Sequence, residues 1–227
     1  MTRSLFAHLA PTAVLAGTIL MVAPAAQAQS AQPDFVGKEA GTVMVRVRAI
    51  DVAPLDTISS ISAIDGHVRA TDQVAPEVDG SYFITDHFAV EAIAASTRHS
   101  IQAHGTALGT VDVGSAYVLP PAVTLQYHFM PHERISPYLG AGADVMFFYD
   151  QNVARPTITK LDIRTSAGPV LQAGVDYNVC GHWFLNADLK VMFVSPHANI
   201  DTSLGVNLQA KVALNPVVAG LGVGYRF

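Results

Sequence analysis

The chain has 227 residues, 50% of them hydrophobic and only 14% charged, with a formal net charge of −5. So few charges together with a mean hydropathy of +0.33 exclude a disordered chain and an ordinary cytosolic domain. A single cysteine excludes an intramolecular disulfide framework, and the acidic balance argues against a nucleic-acid partner.

The N-terminus reads as a secretory signal. Arg3 supplies the positive start, residues 12–23 form an uninterrupted apolar stretch, and Ala26 and Ala28 place small residues where signal peptidase cuts. Pro11 and Pro24 bracket the stretch, which is shorter than the roughly 20 residues a membrane span needs, so an uncleaved anchor is the weaker alternative. No cysteine lies at the cleavage point, which argues against a lipoprotein. The expected domains are therefore a signal peptide, 1–28, and one mature domain, 29–227, opened by a short lead-in to about residue 40.

Beyond residue 28 no run of 18 apolar residues occurs, and the recurring period is two. Val43, Val45 and Val47 interleave with Met44, Arg46 and Arg48. The same alternation marks 76–84, 88–95, 123–129, 139–147, 171–177, 185–193 and 219–227, giving eight expected strands. Short polar turns at 85–87, 131–134 and 180–182 alternate with longer connections at 51–72, 97–117, 151–165 and 195–209. Short turns on one side and long loops on the other are the signature of an all-β, eight-stranded antiparallel transmembrane barrel of the bacterial outer membrane. A soluble β-sandwich also alternates. Two features favour the barrel: a continuous apolar face with aromatics near its ends, and a chain that stops on Tyr225-Arg226-Phe227 with no charged tail. Tyr225 and Phe227 are the expected signal for the outer-membrane assembly machinery.

Several segments resemble the OmpW family of small outer-membrane proteins. They run from Ala89-Val90-Glu91 to Arg98-His99, then Leu119-Pro120-Pro121, Pro137-Tyr138-Leu139-Gly140-Ala141-Gly142, Ala173-Gly174-Val175-Asp176-Tyr177, Trp183, and the terminal Gly224-Tyr225-Arg226-Phe227. The resemblance implies a narrow eight-stranded barrel that helps small hydrophobic molecules cross the outer membrane. In that route the solute enters an apolar pocket from outside and leaves sideways through the wall into lipid. The seventh expected strand departs from the family, carrying Lys190 on its inward face where relatives tend to have an aromatic.

The alternation turns Arg46, Arg48, Glu77, Asp79, Glu91, Asp144, Asp176, Asp188, Lys190 and Arg226 inward, four basic and six acidic. These residues either line an ion path or pair into a plug, and eight strands leave little bore, which favours the plug. The connections at 51–72 and 101–119 are unusually apolar; Ile58, Ile61, Ile64 and Val68 recur at near-helical spacing in the first. They either wall a ligand pocket or pack on the barrel rim. Ile61, Leu108, Val111 and Met146 are the candidate pocket residues.

No metal or cofactor site is expected. Nine histidines are scattered, and His128 and His132 sit too far apart on a strand, about 13 Å, to share an ion. No nucleophile, base and carboxylate stand in a telling order, so no enzyme is expected, and Cys180 reads as a bystander thiol in a turn. The expected partners are outer-membrane lipid, small hydrophobic solutes and the assembly machinery, with the barrel monomeric. The alternative is a barrel that transports nothing and serves envelope integrity or binds external partners through its loops. The outer-membrane form is expected to begin at Gln29, which N-terminal sequencing checks; a chain beginning at Met1 would mean the segment is retained.

Overall fold

The structure is a computed structural model that describes residues 36–55, 58–61, 67–106 and 109–227, with the backbone alone at 58–61, 67, 68, 212 and 213. The expected signal peptide lies outside the described residues. In chain order the strands are β1 (Val43–Ala53), β2 (Ile58–Ile61), β3 (His67–Ala70), β4 (Gln73–Phe83), β5 (Phe88–Ala95), β6 (Thr97–Thr106), β7 (Gly109–Leu119) and β8 (Ala122–His128). They continue as β9 (Ile135–Val153), β10 (Ile158–Ile163), β11 (Ser166–Cys180), β12 (Trp183–Met192), β13 (His197–Thr202), β14 (Asn207–Ala213) and β15 (Val217–Arg226).

Eight of them, in the order β11-β12-β15-β1-β4-β5-β8-β9, form a barrel that β9 and β11 close by pairing with each other. All neighbours are antiparallel, and the first and last strands join. The Phe227 amide donates to the Val43 carbonyl at 2.8 Å, so the chain's last residue completes the closure. Closure matters because each of the eight barrel strands has a neighbour on both sides, and hydrocarbon would not satisfy the backbone groups of a free edge.

Each of the eight strands expected from alternation is a barrel strand, and most run longer than the alternation indicated. The long connections differ from the expectation of plain loops. β3, β6 and β7 extend the barrel sheet beyond its rim, and β10, β13, β14 and β2 form a second four-stranded sheet. β9 causes much of this: its 19 residues outrun β8 and β11, and its upper half pairs with β7 instead. Ile58 to Ile61, whose spacing suggested a helical face, is a strand because β14 offers it a partner ladder.

The two faces are the reverse of a soluble protein's. Val47 is 52% exposed and Leu139 54%, whereas Arg46 and Arg48 beside Val47 are 0% and 1% exposed. Aromatics ring the turn end, where Tyr127 packs on His87, Phe88 and Phe129, and Tyr225 packs on His182, Trp183 and Phe227. Tyr117 and Tyr149 stack near the opposite rim. Such amphipathic belts mark the two interfaces of a membrane, with apolar wall between them.

Glycines make space for the inward arginines. Gly224 stands opposite Arg46, and Gly222 opposite Arg48, across the β1–β15 ladder. A Cβ at either glycine would come within 2.7 Å of the arginine stem beside it. Gly222→Val is therefore expected to reduce the folded, heat-modifiable band on gels sharply, while Val223→Ile on the outer face leaves it near wild type.

Candidate functional site

The lumen holds a network of buried charges. Arg46 bonds Asp79 through Nε at 2.6 Å and Glu91 through Nη2 at 3.1 Å, and also donates to Ser81. Arg48 lies within 3.2 Å of Glu77, Asp79, Glu91 and Asp188. Lys190 reaches Glu77 at 2.9 Å and Asp188 at 2.7 Å. Gln126 and Gln172 donate to Glu91, and Tyr138 donates to Asp188 at 2.6 Å. These side chains come from β1, β4, β5, β8, β9, β11 and β12, so the network ties most of the barrel wall together. It stands where the inward positions of each strand converge, in a lumen too narrow to hydrate the charges, which must therefore satisfy one another.

One member carried no sequence signal. Lys38, in the lead-in before β1, is fully buried at the turn end of the lumen. Its Nζ donates to Asp176 at 2.7 Å and Ser136 at 2.8 Å, and lies 2.8 Å from His128 Nδ1. A lone lysine outside any periodic segment gives nothing to read. Arg226 lies near this end with its guanidinium over the Phe184 ring. Asp144 is inward and fully buried too, but joins no ion pair among the described residues.

Toward the rim the charges give way to an apolar cavity of about 100 Å³. Ile50, Ile93, Met146, Met192 and Val218 border it from the barrel; Ile101, Val113 and Ala116 from β6 and β7; Leu161, Ile163, Ile200 and Ala210 from the second sheet. The loop strands are thus apolar because they roof this space and pack on one another, as Val113, Leu161, Ile200 and Leu208 do. Of the candidate pocket residues, Met146 lines the cavity. Val111 is half-buried on β7 away from the lining, and Ile61 lies on β2 opposite Ala210. Leu108 lies outside the described residues. Sequence reasoning missed Ile93, Met192 and the β10 and β13 positions, because an apolar inward residue near a strand end looks like ordinary barrel filling.

The polar lining groups are few and engaged. Glu77 at the floor is held by Lys190 and Arg48. His99 Nδ1 is 2.6 Å from the Thr71 carbonyl, and Nε2 is 2.9 Å from the Thr97 hydroxyl. Burial holds the His99 pKa below its ordinary value, so the ring is neutral, donating to Thr71 and accepting from Thr97. Both ring nitrogens are thus engaged, and no group of three or more metal-ligating side chains occurs among the described residues.

The wall beside the cavity contains a seam. The β5–β8 ladder ends at Ile93 and Ala122, and pairing resumes between β6 and β7 at Thr97 and Val118. Residues 94–96 face 119–121 across this gap without a ladder. Pro120 and Pro121 have no amide to donate, which accounts for the break. Ala95, Thr97, Val118 and Pro120 line the cavity from the two sides of the seam. On the outside, Ser96 and Tyr149 hydroxyls are 2.6 Å apart.

Comparison with known proteins agrees with this architecture. The OmpW family model matches residues 39–227. An uncharacterized outer-membrane protein y4mB of Sinorhizobium fredii is 36% identical over the whole of both chains. Outer membrane protein W of Vibrio cholerae is 28% identical, covering 88% of this chain and 94% of that one. The crystal structure of the outer membrane protein OprG from Pseudomonas aeruginosa superposes with a TM-score of 0.78 at 24% identity, covering 86% of this chain and 99% of that one. With the closed eight-stranded barrel and its apolar outer face, these matches settle the family: the chain belongs to the OmpW family of integral β-barrels of the bacterial outer membrane.

Proposed function

We propose that the barrel is a non-catalytic, monomeric conduit through which small hydrophobic molecules pass the outer membrane, entering the apolar cavity from outside and leaving sideways into lipid. The observation that carries this reading is the stacking of an apolar cavity directly over a lumen filled with paired charges. A methylene gains about 0.8 kcal/mol on leaving water, and a solute moved from the cavity into the charged lumen would surrender that gain. It would also have to part ion pairs that nothing else in the lumen can satisfy. In this reading the exit is the seam between 94–96 and 119–121, whose two sides line the cavity, and a solute leaving there stays in apolar surroundings throughout. The cluster of Arg46, Arg48, Glu77, Asp79, Glu91, Asp176, Asp188 and Lys190 then serves as a plug along the axis. Tyr225 and Phe227 would present the terminal strand to the assembly machinery before closure.

Cells carrying the protein are expected to take up octane at limiting concentration faster than cells lacking it, and Met146→Trp, which fills the cavity, to fall to the level of cells without the protein. Equal uptake with and without the protein would contradict the conduit and leave a role in envelope integrity. The plug predicts no stepwise ion conductance in planar bilayers at molar KCl; steps typical of a water-filled pore would contradict it. Truncating Arg48 to Met should destabilise the barrel by about 3–5 kcal/mol, because four buried carboxylates lose a partner. Urea unfolding in lipid bilayers measures that loss.

A further inference from the structure

The two sides of the seam are anchored to different parts of the wall. On one side, Ala94 and Ala95 pair with Val78 and Glu77 of β4. On the other, the segment carrying Pro120 and Pro121 is held by β9. Leu119 pairs with Phe147, the Val145 amide donates to the Pro121 carbonyl at 3.0 Å, and Ala122 pairs with Asp144. The wall here is thus two laddered flaps that meet along residues 94–96 and 119–121, where the ladder between them is interrupted.

A side-chain bond joins the flaps at this point. Ser96 belongs to the side held by β4, Tyr149 lies on β9, and their hydroxyl oxygens are 2.6 Å apart. Both residues are exposed on the outer face, and sheet order puts the chain from β7 into β8 between them. The bond therefore passes over the outside of the seam. Tyr149 is held in position for it. Its ring stacks on Tyr117, its register partner on β7, with centroids 5.3 Å apart. The Arg98 guanidinium stands 5.8 Å from the Tyr117 ring centroid and donates to the Ser115 hydroxyl at 3.0 Å. Two hydroxyls at the edge of hydrocarbon gain by bonding each other, since lipid tails offer neither a partner.

We propose that the Ser96–Tyr149 hydroxyl pair is the clasp of the lateral exit. Closed, it holds the two flaps together beside the cavity; released, it lets a solute pass between Ala95 and Pro120, which line the cavity from the two sides. One side-chain bond suits this task because rotation of the serine breaks and re-forms it, while the ladders to β4 and β9 stay whole. The clasp positions the flaps and does not bind the solute. This rests on the reading that the solute leaves sideways through this seam, and adds what holds the exit shut.

The test removes each hydroxyl in the full-length protein, as Tyr149→Phe, which keeps the ring on Tyr117, and as Ser96→Ala. Octane uptake at limiting concentration is expected to rise roughly two- to tenfold in either variant, the range that one neutral hydrogen bond spans in an equilibrium constant. The double variant is expected to rise no further, because either change alone breaks the same bond. Tyr177→Phe, which removes an exposed hydroxyl on β11, is expected to leave uptake at the wild-type rate. Seam width is read directly from the dipolar broadening between nitroxides at Ala94→Cys and Leu119→Cys, with the native thiol removed as Cys180→Ser and the barrel in lipid nanodiscs. Broadening is expected to weaken when Tyr149→Phe is added. Unchanged broadening overturns the clasp, and so does uptake at the wild-type rate in both hydroxyl variants; in either case wild-type uptake above that of cells lacking the protein leaves the conduit standing. Wild-type uptake no faster than in cells lacking the protein overturns the conduit and the clasp together.

Discussion

Arg46 and Arg48 occupy successive inward positions of β1, and eight strands leave no solvated space around them. Each must find its counter-charges on the opposing wall. That requirement distributes Asp79 and Glu77 on β4, Glu91 on β5, Asp176 on β11 and Asp188 on β12 at heights where they can reach, and it demands glycine on β15, where the arginine stems pass. The network is thus less a lining than a set of cross-braces, and its register dependence is severe. Sliding any of these strands by one residue would turn its carboxylate into hydrocarbon and its apolar residues into the lumen.

Where the charges stop, the same geometry produces the cavity. Above the Glu77 level the inward positions include Ile50, Ile93, Met146, Met192 and Val218, and no lysine or arginine lines the cavity among the described residues. The two loop sheets close over this apolar ring because their own apolar faces would otherwise meet water. Proline at 120 and 121 interrupts the wall at that height alone among the β5–β8 contacts, so cavity, roof and seam share one level of the barrel. On the proposed reading, this is the level at which a hydrophobic solute passes from water to lipid.

Much of this was legible from period two. The alternation located all eight barrel strands, and it assigned Arg46, Arg48, Glu77, Glu91, Asp176, Asp188 and Lys190 to the inside, because a residue's face follows from parity alone. What parity cannot convey is contact across the barrel. Lys38 precedes any strand, so its bond to Asp176 depends on how the lead-in folds back. β6 and β7 alternate visibly, yet their pairing with the upper half of β9 depends on that strand's length. Met146 could be guessed because it ends an apolar alternation near a rim, but Ile93, Ile163 and Ile200 converge on the same space from three distant segments, a matter of barrel closure and not of local pattern.

The central claim is that apolar ligand stops above the charged layer. Crystals of the barrel soaked with 1-bromohexane test it most directly, since bromine can be located by its anomalous scattering. The account predicts bromine among Ile93, Met146 and Met192 and none below the level of Glu77 and Arg48. Bromine along the axis between Arg48 and Lys38, or a cavity that takes up none, would contradict it.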